Sequence, residues 1–178
     1  MRISIIGTGM IATEVISMLR TEGKGIEITS LFSHSDKDKA QSLAKANRIA
    51  RVYTDYTQLL KEDNADFVYI ALVNSSHYDY VRQALEADRN VIVEKPFTTS
   101  LSQAEELASL ARSRNLYLFE AVSLLHTPNF KLVKDSLTRI APIHLVQCNF
   151  SQYSSRFERY LQGDIAPAFN PKLGGGAI

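Results

Sequence analysis

Only one cysteine, Cys148, occurs in the 178 residues, so no internal disulfide forms and no cysteine-based zinc cluster can assemble. Such sparse use suits a reducing cytoplasm. Charge of one sign is missing as well. Twenty Lys and Arg stand against 19 Asp and Glu, a net +1 without a basic run, which leaves no electrostatic footprint for nucleic acid or an anionic membrane. The longest apolar run, Phe67–Val73, is far below the roughly 20 residues of a membrane-spanning helix. Met1–Ile6 could open a secretory leader, but Gly7 and Gly9 interrupt it and Glu14 charges it, so the expectation is a cytoplasmic chain starting directly with a strand. What is present is 45% apolar and 22% charged residues, the proportions of an ordinary globular protein, which excludes disorder, collagen and coiled coil. The length exceeds one domain of about 100–150 residues and falls short of two.

Short β-rich runs alternate with helical patterns, as in βαβ units. Strands are expected at Ile3–Ile6, Ile26–Phe32, Arg51–Tyr53, Phe67–Leu72, Asn90–Glu94 and Tyr117–Glu120. Between them Ile11, Val15, Met18 and Leu19 form a helical stripe, and further helices are read over 36–47, through Leu59 and Leu60, and over 77–87. Ser102-Gln103-Ala104-Glu105 has the spacing of a capping box opening a helix to about Arg114. Beyond Glu120 the pattern changes. Phe130, Val133 and Leu137 outline one more helix, Ile143–Phe150 reads as a long strand without a crossover partner, and 151–171 is polar and irregular before Gly174-Gly175-Gly176. The fold class expected is α/β, a Rossmann-type doubly wound parallel sheet over 1–120, followed over 121–178 by the beginning of an incomplete α/β second domain.

Gly7-Thr8-Gly9-Met10-Ile11-Ala12 is G-x-G-x-x-A between a strand and an amphipathic helix, the setting of a dinucleotide fingerprint. Its first glycine permits the tight turn, its second admits the pyrophosphate to the backbone, and Ala12 allows close helix–strand packing. The helix start beyond offers free N–H groups and a positive dipole end to phosphate. At the end of the second strand an acidic side chain would bond the ribose hydroxyls and repel a 2′-phosphate. Ser33 and His34 stand there instead, and the first acid is Asp36, which leans modestly toward NADP. Lys37 and Lys39 read as solvated charges at the helix start.

After the strongest strand come Leu72, Asn74 and His77. Asn74 suits a bond to a cofactor ribose or amide, Ser75 or Ser76 suits a helix cap, and His77 alone would be an ordinary first-turn histidine. Glu94-Lys95-Pro96 ends the next strand. Glu94 and Lys95 point to opposite faces, and Pro96 keeps Lys95 extended, with the Lys95–Pro96 bond a candidate for cis geometry. Lys95 is then a proton donor or hydrogen-bond donor to a carbonyl or alcohol. All these clusters, with Glu120, follow the carboxyl ends of expected strands, which in an open parallel sheet line one ligand crevice. No tyrosine has Lys four positions on, which excludes the Tyr-x-x-x-Lys pair of short-chain dehydrogenases, and no G-x-x-x-x-G-K occurs. His34, His77, His126 and His144 lack metal-ligand spacing, so no metal is expected, and Cys148 reads as a small core residue.

In order, the G-x-G-x-x-A turn, Asn74-Ser75-Ser76-His77, Glu94-Lys95-Pro96, Glu120-Ala121 and Gly174-Gly175-Gly176 closely resemble the Gfo/Idh/MocA oxidoreductases. The resemblance implies a cofactor domain followed by a domain with a large, mostly antiparallel sheet that forms the substrate floor and dimer interface. It places Lys95 between nicotinamide and substrate, with Asn74, His77 and Glu94 lining the cofactor pocket and Glu120 close by. Val73 replaces the frequent Pro, and Ser123 and Leu125 stand where many members carry Trp and Arg. In the family an Asp-containing helix follows the triple glycine, so the chain is expected to lack the proton relay beside Lys95 and nearly the whole substrate sheet, and Ile143–Phe150 to be an exposed edge prone to self-association. The function expected is NAD(P)-dependent hydride transfer at a hydroxyl or carbonyl carbon of a sugar, polyol or related small molecule. The cofactor-binding residues expected are Gly7, Thr8, Gly9, Met10, Ile11, Ser33, His34, Leu72, Asn74, His77, Glu94, Lys95 and Glu120, with Lys95 catalytic. The alternatives are a non-catalytic dinucleotide-binding module or sensor and, more distantly, a flavodoxin-like domain in which Gly7–Ala12 is only a turn.

Overall fold

A computed structural model describes residues 1–140, 142–149, 151–154 and 156–176. Six strands, β1 (Arg2–Ile6), β2 (Glu27–Phe32), β3 (Arg51–Tyr53), β4 (Phe67–Ile70), β5 (Asn90–Val93) and β6 (Leu118–Glu120), form one sheet in the order β3-β2-β1-β4-β5-β6. Every pairing is parallel. Parallel neighbours require crossovers, and the helices that supply them cover both faces. Helices α1 (Met10–Thr21) and α2 (Lys37–Ala46) bury Ala12, Ile16, Ala40 and Ala44 against Ile3, Ile5, Ile28 and Leu31. On the other face α3 (Tyr56–Glu62), α4 (His77–Glu86) and α5 (Leu101–Ser113) bury Leu59, Val81, Leu85 and Leu107 against Ile6, Val68, Ile70, Val91 and Val93. Alternating side chains of one strand thus feed two cores, which is why the strands read as continuous apolar runs.

Some local readings need correction. The cap of α5 is Ser100, whose Oγ accepts from the Gln103 N–H; Ser102 lies two residues later, inside the helix. Ser76 precedes α4 but makes no side-chain cap bond, because a short 3-10 turn over Asn74–Ser76 leads directly into the helix.

Helix α6 (Pro128–Ile140) forms where Phe130, Val133 and Leu137 indicated it, and a short α7 (Phe157–Leu161) interrupts the polar segment that follows. The long strand expected over Ile143–Phe150 is not formed in residues 143–149, and Phe150 lies outside the described residues. A strand needs a neighbour to take its N–H and C=O groups, and among the described residues this segment has none; Leu145 is 83% and Val146 71% exposed. Cys148 sits in the same segment and is exposed, not a core residue.

Candidate cofactor site

The order of the sheet reverses between β1 and β4, the two strands that flank the switch. Crossovers leave in opposite directions there and open a crevice above the carboxyl ends of the strands. Ile6, Phe32, Ile70 and Val93 end their strands at this level, so the residues that follow them converge. A cavity of about 670 Å³ lies there, lined by Gly7–Ile11, Ser33–Ser35, Leu72–Asn74, Glu94 and Lys95. The volume is within the range of small-molecule and cofactor sites.

The glycine turn is built differently at its two glycines. Gly7 has φ +120°, and a Cβ there would lie 2.4 Å from the Ala71 carbonyl oxygen. Its N–H continues the sheet by donating to Phe32 O at 2.9 Å. Gly7 is therefore required by the fold. Gly9 has φ −72°, and a Cβ there would meet nothing within 4 Å. Neither backbone strain nor packing in the chain itself demands a glycine at that position, and the space a side chain would fill is open cleft. Gly9 also begins α1 without a side-chain cap, and the first turn carries no acidic residue, which leaves the early N–H groups and the positive helix end for an outside anion. These features fit the pyrophosphate of a dinucleotide.

Ser33 is buried, and its Oγ accepts from the Asp36 N–H at 3.3 Å. Asp36, the first acid after β2, is spent as the cap of α2, accepting from Lys39 N–H at 2.8 Å. It does not line the cavity, whose rim here is Ser33, His34 and Ser35. Lys37 and Lys39 are exposed outside it.

Glu94 is held from two sides. The Tyr69 hydroxyl donates to Oε1 at 2.7 Å, and the Lys95 backbone N–H donates to Oε2 at 3.3 Å. Burial, followed by the bond to Glu94, pushes the Tyr69 hydroxyl well above the ordinary tyrosine range. Lys95 is exposed toward the cavity, and the Lys95–Pro96 peptide is cis.

Two further expected pocket residues, His77 and Glu120, are not among those lining this cavity. His77 is 0% exposed, with Nδ1 2.8 Å from Pro96 O and Nε2 3.2 Å from Leu72 O. It ties together the two loops that carry Leu72 and Lys95, because the first turn of α4 points inward between them. Glu120 lies outside the lining and accepts from the Phe97 N–H at 2.8 Å, bracing the same loop.

The other wall comes from residues that sequence reasoning left as irregular. Arg156, Arg159 and Asp164–Ala168 line the same cavity as the glycine turn. They are anchored where Asn74 Nδ2 donates to Gly174 O at 2.7 Å. The spacing of Gly174-Gly175-Gly176 signals this closure: a Cβ on Gly175 would lie 2.4 Å from Pro167 O, and one on Gly174 2.4 Å from Thr99 Cγ2. Among the described residues no cluster of three or more His, Cys, Asp or Glu could hold a metal, and no helix is long and apolar enough to cross a membrane.

A doubly wound parallel sheet with a glycine turn at its switch point defines the class of dinucleotide-binding α/β proteins. The model of the Gfo/Idh/MocA oxidoreductase family, described by its NAD-binding Rossmann fold, matches residues 1–122, and the chain belongs to that family. It is 33% identical over 177 residues to the Escherichia coli oxidoreductase YgjR, covering 99% of this chain and 53% of that protein. To the Bacillus subtilis scyllo-inositol 2-dehydrogenase (NADP(+)) IolU it is 29% identical, with 99% and 53% covered. A crystal structure of KijD10, a 3-ketoreductase from Actinomadura kijaniata in complex with NADP, superposes with a TM-score of 0.72 at 34% identity, covering 78% of this chain and 44% of that one. The chain thus spans about half the length of the curated relatives it matches.

Proposed function

We propose that this chain is the cofactor-binding portion of an NAD(P)-dependent oxidoreductase acting on a hydroxyl or carbonyl carbon of a sugar, polyol or related small molecule. The observation that carries the reading is the convergence of Gly7–Ile11, Ser33–His34, Leu72–Asn74 and Glu94–Lys95 on one cavity at the switch point. The nature of its relatives, an inositol dehydrogenase and a sugar-nucleotide ketoreductase among them, supports the substrate class.

A bound nicotinamide would supply the hydride chemistry. The chain's own residues bind and orient. The α1 N-terminus and Gly9 receive the pyrophosphate, and Ser33 with His34 receives the adenosine ribose. NADP is favoured over NAD because Asp36 is turned away into the α2 cap. Lys95 is the catalytic residue, holding a proton at Nζ for the reacting oxygen, and Glu94, fixed by Tyr69, sets the direction in which Lys95 leaves the strand. We place His77 and Glu120 as braces of the two loops that carry these groups. Residues 1–120 serve as the cofactor domain and 121–178 as the opening of the substrate domain, in a cytoplasmic protein whose exposed Leu145 and Val146 mark a surface for self-association. With this portion alone, turnover is expected to be low.

Titration of the chain with NADPH and NADH by fluorescence, followed by a panel of sugars and polyols, tests the proposal. Saturable binding with NADPH the tighter is expected, and Gly9→Asp abolishes it without loss of fold, since the new side chain enters open space. Binding that produces no turnover even in a longer chain carrying the rest of the substrate domain points to a cofactor-sensing module. Failure to bind either dinucleotide overturns both.

A further inference from the structure

We infer that Arg156 is a phosphate clamp, reaching from beyond the parallel sheet to close over the pyrophosphate at the glycine turn. The inference rests on the dinucleotide reading above and assigns it a residue outside the Rossmann domain. Arg156 is half-buried and lines the same cavity as Gly7–Ile11. Its Nη2 lies 3.8 Å from Sδ of Met10, 146 positions away in the chain and the first residue of α1 after Gly9. A thioether is a weak acceptor, so this contact locates the guanidinium without satisfying it.

Charge separates Arg156 from its neighbour. Arg159 lines the same cavity but is paired with Asp164 at 2.6 Å. Among the described residues no carboxylate stands within ion-pair distance of Arg156. A cation is thus held beside the glycine turn without a carboxylate paired to it among the described residues, and its planar fork matches two phosphate oxygens. Position decides which phosphate. Met10 adjoins Gly9, where the pyrophosphate approaches backbone, whereas a 2′-phosphate belongs at the end of β2 beside Ser33 and His34. Arg156 therefore strengthens binding of both dinucleotides, not the choice between them.

The test is the dissociation constant of the 178-residue chain for NADH and for NADPH, measured for wild type, Arg156→Ala and Arg156→Lys, with melting temperatures to confirm folding. Loss of one charge-assisted contact is expected to weaken both cofactors by about the same factor, roughly tenfold or more. Arg156→Lys should recover part of the loss, since charge is restored without the fork. A loss confined to NADPH overturns the pyrophosphate assignment in favour of the 2′-phosphate, and unchanged binding of both overturns the clamp altogether. Failure of the dinucleotide reading looks different, since wild type itself would then bind neither cofactor.

Discussion

Helices α1 and α6 carry similar apolar stripes, Ile11-Val15-Met18-Leu19 in one and Phe130-Val133-Leu137 in the other, yet their fates differ. In α1, Ala12 and Ile16 are fully buried against the sheet, whereas no residue of α6 is buried. The contrast extends to the whole molecule: every buried hydrophobic residue among the described ones lies at or before Ala111. Periodicity creates a sticky face, but stability comes from the surface that face meets. The first region supplies its own partner surface, a six-stranded sheet with two faces to cover. The second region contributes a wall to the cofactor cavity without a core of its own.

The largest effect that would sharpen this contrast is expected at the glycines. Gly7→Ala combines a positive φ with a 2.4 Å approach to the Ala71 backbone and should cost about 4 kcal/mol in urea unfolding. Gly163→Ala, at φ +82° but with nothing within 4 Å, should cost only about 1–2 kcal/mol. Truncation of core residues comes next. Leu107→Ala, at 0% exposure, should cost about 3 kcal/mol, and Leu132→Ala on α6, at 67%, less than about 0.5 kcal/mol. Equal losses at the two leucines would break the comparison and place α6 in a packed interface in solution. Limited proteolysis should cut within 142–149 or 156–165 well before any site in 1–111, because no residue described there is buried.

The smallest effect concerns pH. Tyr56 is buried against Phe32 and Tyr80 with its hydroxyl donating to Tyr80 O at 3.1 Å. Burial raises its pKa well above the ordinary tyrosine range. A raised pKa means the folded state favours the neutral form, so its contribution is complete below the unfolded value near 10 and is lost as pH climbs above it. Wild type should lose stability from about pH 10 upward. Tyr56→Phe, at a cost of about 1 kcal/mol at neutral pH for the hydrogen bond, should flatten that alkaline slope in chemical denaturation.

The six strands, their crossover helices and the cavity residues of the Rossmann region were legible in the residues, because a buried parallel strand must be apolar throughout and a glycine turn must sit at its end. Less legible was whether a pocket candidate faces the pocket. His77 stands three residues after Asn74 and reads as a ligand contact, and the structure buries it with its two ring nitrogens facing the carbonyls of Pro96 and Leu72. The cap of α5 was misread because Ser100 and Ser102 have similar local chemistry. The strand expected over Ile143–Phe150 failed for a different reason, since local β-propensity cannot supply the neighbour that strand hydrogen bonding requires.

By itself the sequence determined the alternation of strand and helix, the glycine turn at the head of α1 and the lack of an acid directly at the end of β2, where Ser33 and His34 stand. Each follows from local rules of burial, backbone freedom and capping. Only the tertiary structure decided that His77 is buried between the Leu72 and Pro96 carbonyls, that Asp36 is spent on a helix cap, and that Arg156 crosses 146 positions to stand at Met10. Those outcomes depend on which surfaces meet, and contacts between residues distant in the chain leave no periodic trace in it.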